Sequence, residues 1–178
     1  PLAGTAQRLA SDLKIPLDPA VNRAILSDTS QPDIYRIEAL DQICRQGEKE
    51  ADEARAMALS SDRPALRIAS LERLADSSAG VQALTSRAKS GPFEERQYAL
   101  AALSRRAHAN HVAAIALDSW LGLLEKDAVE TGLQLDVYLA CIGSGSLELS
   151  ERALRWWRAV PIEDRMRGSH FALAGGGP

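Results

Sequence analysis

Arg36-Ile37-Glu38-Ala39-Leu40-Asp41-Gln42-Ile43, Arg67-Ile68-Ala69-Ser70-Leu71-Glu72-Arg73-Leu74 and Arg96-Gln97-Tyr98-Ala99-Leu100-Ala101-Ala102-Leu103 align with one another. Their shared form is Arg, two variable residues, a small residue, Leu, two variable residues, then Leu or Ile. They begin 31 and then 29 residues apart, each three or four residues after a proline. The two branched apolar positions lie on one helical stripe, and the small residue lets a partner helix come close. One helix pair cannot bury such a stripe alone. A period of about 30 with one pair per period predicts an all-α solenoid of stacked antiparallel helix pairs. The alternative is chance similarity among amphipathic helices of an ordinary bundle.

Composition agrees with helices. Of 178 residues, 30 are Ala and 24 Leu, against 19 Val, Ile and Thr together. Strong helix formers abound and strand formers are scarce, which disfavours sandwiches, barrels and parallel sheets. The net charge of −3 and the pI of about 5.7 argue against generic attraction to phosphate. Arg outnumbers Lys 17 to 4, which suits fixed ion pairs and equally reflects a GC-rich genome. No apolar run approaches the ~20 residues needed to span a bilayer. Both ends, Pro1-Leu2-Ala3 and Ala174-Gly175-Gly176-Gly177-Pro178, read as cut from a longer chain.

Prolines punctuate the rest. Asp18-Pro19, Gln31-Pro32, Arg63-Pro64 and Gly91-Pro92 each precede a helical pattern, with Pro suited to the first turn. Asp18, Ser30 or Gln31, and Asp62 are candidate caps. Ten or eleven helices are expected: 4–14, 19–27, 32–46, 48–60, 63–75, 79–89, 92–107, 110–125, 130–143, 147–159 and a short turn near 162–168. Residues 1–170 read as a single repeat domain and 171–178 as a linker toward a missing C-terminal domain. Gly143-Ser144-Gly145-Ser146 reads as a flexible joint.

The Pro, Arg, small, Leu pattern resembles HEAT repeats of the short bacterial type, and that resemblance implies a right-handed solenoid used for protein contacts and spacing. Residues 92–178 carry, in order, Glu95-Arg96-Gln97-Tyr98-Ala99-Leu100-Ala101-Ala102-Leu103, Trp120-Leu121, Leu133-Gln134-Leu135-Asp136 and Phe171-Ala172-Leu173-Ala174-Gly175-Gly176. This run is similar to the HEAT segment of large secreted planctomycete-type membrane-bound dehydrogenase proteins. Those proteins join a β-propeller sugar-dehydrogenase-like domain, HEAT repeats and a c-type haem domain. The present sequence contains neither a propeller nor a CxxCH, so the resemblance lends it no dehydrogenase or haem chemistry. It implies export to the periplasm or beyond; without it, a cytoplasmic protein is expected.

No catalytic site emerges. A hydrolase would need a nucleophile, a base and an orienting group, and the Gly143–Ser146 stretch is not a GxSxG elbow. Neither GxGxxG nor GxxxxGK[ST] occurs. His108 and His111 read as turn histidines at a helix boundary rather than metal ligands, and His170 stands alone. Cys44 and Cys141 read as small buried hydrophobes, too far apart in a stacked array to bridge. Arg36, Arg67 and Arg96 would form a ladder of inter-repeat pairs, with Asp33, Asp62 and Glu94 as nearby acids. Leu40, Leu71 and Leu100 mark the core stripe.

Trp156-Trp157 with Arg152, Arg155 and Arg158 is the one cluster with the composition of a protein contact. Its alternative is that both tryptophans pack, one of them under the last short helix. Residues 146–178 hold five Arg against four acids, and residues 30–62 eight acids against four bases. Neither matches a surface that tracks phosphates.

These readings predict a non-catalytic scaffold, spacer and protein-interaction segment of a larger exported redox protein, without cofactor, metal, nucleic acid or membrane insertion. The alternatives are a stand-alone cytoplasmic HEAT-repeat regulatory or assembly protein and, third, a HEAT-like nucleic-acid-processing enzyme.

Overall fold

The computed structural model describes Leu9 and residues 18–74 and 78–161. Apart from Leu9, the helix expected over 4–14 lies outside them, as do the 162–168 turn, His170 and the 171–178 linker. The described residues form nine helices and no strand. They are α1 (Pro19–Ser27), α2 (Asp33–Cys44), α3 (Glu48–Leu59), α4 (Pro64–Glu72), α5 (Ser78–Ser90), α6 (Phe93–Ala107), α7 (His111–Glu125), α8 (Thr131–Ile142) and α9 (Leu147–Ala159).

Local chemistry sets these boundaries. Pro19 and Pro64 occupy the first turns of α1 and α4, whereas Pro32 and Pro92 sit in extended backbone at the N-caps of α2 and α6. Asp18 caps α1, its Oδ1 accepting from the Ala20 N–H at 2.8 Å. Ser30 and Gln31 do not cap α2. Both turn back on Asp28, which accepts from the Ser30 N–H at 2.9 Å, the Ser30 hydroxyl at 2.6 Å and Gln31 Nε2 at 3.0 Å. Asp62 does not cap α4 either, since Arg63 is the N-cap there and its N–H donates to Ser61 Oγ. In both places a short side chain finds a closer turn amide before it reaches the helix.

The hydrogen bonds to Asp28 hold its carboxyl down at about 2, from an ordinary 3.8. A depressed acid contributes stability above its unfolded value and loses it as pH falls through the folded one. The α1–α2 turn should therefore stay closed down to about pH 3 and open toward pH 2. NMR titration of the Asp28 carboxyl, with exchange of the Ser30 amide, checks this; a midpoint near 4 would refute it.

The contacts gather in two compact units divided between Leu74 and Ala75. In the first, each helix packs on the next, α1 also on α3, and α2 also on α4. Ile25, Leu26, Ala39, Leu40, Ile43, Ala54, Ala58, Leu66 and Ala69 form its core. In the second, each helix again packs on its successor, and α5 touches α7, α6 touches α8, and α7 touches α9. Leu100, Leu103, Leu117, Leu121, Leu124, Leu133 and Val137 are fully buried there.

The aligned segments occupy α2, α4 and α6, with the small residues Ala39, Ser70 and Ala99 and the leucines Leu40, Leu71 and Leu100 fully buried. The arginines do something the sequence did not reveal. Arg36 Nε donates to the Leu26 carbonyl at 3.0 Å, Arg67 Nη1 to the Ser61 carbonyl at 2.7 Å, and Arg96 Nε to the Ala88 carbonyl at 3.1 Å. Arg36 and Arg96 reach the C-terminal end of the preceding helix, where carbonyls lack intrahelical partners and the helix dipole is negative, and Arg67 reaches the turn just past the end of α3. The acids expected beside them are engaged elsewhere or unpaired with them. Asp33 faces Arg63 at 4.0 Å, Asp62 accepts from Ser61, and Arg96 forms its ion pair with Glu130 at 2.7 Å rather than with Glu94.

Polar links also tie alternate helices. Arg73, just past α4, holds Asp41 of α2 in a two-pronged fork, Nη2 reaching Oδ2 at 2.9 Å. Its Nη1 donates to the Ala69 carbonyl at 2.7 Å. In the second unit Ser104 of α6 donates to the Ala140 carbonyl of α8 at 2.7 Å.

The Gly143–Ser146 stretch is a built turn, not a flexible joint. Ser144 is fully buried, donates to the Cys141 carbonyl at 2.6 Å and accepts from the Ser146 N–H at 3.2 Å. Ser146 caps α9 by accepting from the Leu149 N–H. Gly145 has φ +74°, and a Cβ there would come within 2.7 Å of His108 Nδ1. Left-handed backbone and a close neighbour both require glycine. Gly145→Ala is expected to cost about 2 kcal/mol by denaturant unfolding; an unchanged midpoint would show that the turn does not hold α9.

Candidate protein-contact site

Helices α8 and α9 bring together an aromatic group only half visible in the sequence. Tyr138 stacks on Trp157, with centroids 4.8 Å apart and planes 20° from parallel. Trp156 lies 6.3 Å from Tyr138 and 6.1 Å from Trp157. All three rings are half-buried, so neither tryptophan is purely core nor purely surface. Such offset stacks contribute about 0.5–1.5 kcal/mol beyond area burial. Sequence alone does not place Tyr138 in this group, since its only signal is an aromatic residue on the helix before a short connection.

The arginines of the cluster divide. Arg152 points into its own chain: Nε and Nη2 take the two Glu125 carboxylate oxygens at 3.1 and 2.7 Å, and Nη1 reaches Asp118. That clamp joins α9 to α7. The Arg152 hydrogen bond holds the Glu125 carboxyl below its usual range, and the Glu125 and Asp118 bonds push the Arg152 guanidinium up. Its groups are well solvated, so screening keeps the clamp modest. Arg155 and Arg158 lie exposed on α9, beside the half-buried tryptophans.

Two open grooves lie elsewhere in the second unit. One runs between α5 and α7, about 470 Å³ in volume, and includes Lys89, Val112 and Ile115. The other, about 360 Å³, runs between α6 and α8. In it Gln97 Nε2 donates to Asp136 Oδ2 at 2.9 Å. Burial pushes the Asp136 carboxyl up, and the Gln97 bond offsets part of that.

His108 is the C-cap of α6 and His111 opens α7, with Asn110 between them accepting from the Val112 and Ala113 N–H groups. They stand at a helix boundary, as expected. Among the described residues no three His, Cys, Asp or Glu side chains gather to hold a metal. Both cysteines are free thiols. Cys141 is fully buried, and burial pushes its thiol up to about 12; the half-buried Cys44 thiol is also raised by burial. A thiol held protonated is a poor nucleophile. No helix of the described residues is long and apolar enough to cross a membrane.

No family model, curated protein or solved structure matches this chain.

Proposed function

We propose that this chain is a non-catalytic, HEAT-like right-handed α-solenoid segment acting as spacer and protein docking surface within a larger exported redox protein. One observation carries the reading. Within each unit the substantial helix contacts run only to the next helix and the next but one. That is the contact pattern of stacked hairpins, in which each repeat meets only its neighbours. The three repeat arginines fit the same plan: Arg36 and Arg96 bond the end of the preceding helix and Arg67 the turn that follows it, so one residue per repeat ties its helix back to the chain before it. The half-buried aromatic group of α8 and α9, rimmed by Arg155 and Arg158, has the composition of an interaction hot spot.

Two measurements test this. An experimental structure in which α2, α4 and α6 cross steeply instead of stacking in parallel overturns the solenoid. The gene's flanking sequence tests the parent: a propeller upstream and a CxxCH shortly after Pro178 support it, and a stop codon directly after Pro178 ends it.

A further inference from the structure

We infer that the groove between α6 and α8 receives an arginine side chain from a partner protein, its guanidinium on Asp136. This goes beyond the scaffold reading and does not depend on it. Asp136 is a half-buried carboxylate whose one hydrogen bond comes from the neutral amide of Gln97. None of the described cations pairs with it, and none stands among the groups that act on its carboxyl. Arg105, on the same groove, is exposed and not engaged with Asp136.

Two other acids drawn out of water in this fold carry a cation. Asp41 is forked by Arg73, and the fully buried Glu95 faces Arg87 at 3.2 Å. A carboxylate drawn out of water without a cation is a cost to the free protein, and a guanidinium removes that cost in the complex. The remaining Asp136 oxygen and the Gln97 carbonyl are two acceptors, which suits the planar, multi-donor fork of Arg.

The groove also fits the rest of the side chain. Ala101 and Ala140 keep it open along its length, and Leu139, 52% exposed, supplies an apolar wall. An arginine stem lies along such surface while its head stays polar. The volume of about 360 Å³ is at the small end for ligand sites and is open rather than enclosed, as a side-chain anchor needs.

The test is an NMR titration of the full chain with N-acetyl-arginine amide. Its neutral isostere N-acetyl-citrulline amide and the Asp136→Asn variant serve as controls. Saturable shifts are expected at the Gln97 side-chain amide and the Gly143 N–H. Binding should weaken roughly tenfold, a loss of about 1.4 kcal/mol, with citrulline and again with Asp136→Asn. The citrulline arm uses the unaltered protein, so it decides the matter even if the variant misfolds. Shifts that never saturate, equal binding of citrulline, or full retention by a folded Asp136→Asn would each overturn the proposal. Any of those results leaves the scaffold reading standing.

Discussion

Leu40→Ala, Leu71→Ala and Leu100→Ala are each expected to lower the unfolding free energy by about 3 kcal/mol. All three side chains are fully buried, and each follows a fully buried small residue: Ala39, Ser70 or Ala99. Close backbone approach at the small residue leaves little room for the structure to collapse into the space that a missing isobutyl group vacates. Incomplete collapse puts a Leu→Ala change toward the costly end of its range. A loss of that size is a large share of a domain's usual 5–15 kcal/mol.

The pattern across the three variants is as informative as their size. Leu40 and Leu71 belong to the unit ending at Leu74 and Leu100 to the unit that follows. Hydrogen exchange should therefore quicken within residues 18–74 for the first two variants and within 78–161 for the third. Leu154→Ala is the control. Its side chain is 37% exposed on α9, and its loss should stay below about 1 kcal/mol. If the repeat leucines cost no more than Leu154, the alignment has no energetic meaning and the stripes are coincidental.

Helices were legible here because their signals are local. The pattern over 147–159 and the prolines at 19 and 64 mark boundaries that the structure reproduces. Stripe residues were legible too, since a period of 3.6 places Leu100 and Leu103 on one face. Partners were not. The nearest acid to Arg36 in sequence is Glu38, two residues away, whereas its carbonyl partner Leu26 belongs to another helix. Gln97 and Asp136 both stand in the quoted motifs, yet they meet across 39 residues, a separation that no local period reports. Gly143–Ser146 looked flexible because glycine and serine commonly make linkers. The same residues also make turns that need positive φ and side-chain bonds to the backbone, and only the folded neighbours, His108 and Cys141, decide between the two uses.

Asn22→Leu is expected to stabilise the first unit. Asn22 lies in the middle of α1, in Pro19-Ala20-Val21-Asn22-Arg23-Ala24-Ile25-Leu26, where nothing distinguishes it from a solvent-facing position. It is fully buried, and neither its Nδ2 nor its Oδ1 has a hydrogen-bond partner. A buried amide left in that condition costs on the order of 1–3 kcal/mol. Asn22→Leu, which keeps the branching at Cγ and removes both polar atoms, should raise the stability of the first unit by about 2 kcal/mol. Asn22→Ala should sit near zero, because the relief from removing the amide is offset by the space its side chain leaves. Denaturant unfolding followed with a probe in residues 18–74 measures both. A loss above about 1 kcal/mol in both variants would mean that the amide is satisfied in solution, and would turn Asn22 from a liability of the core into a residue the fold depends on.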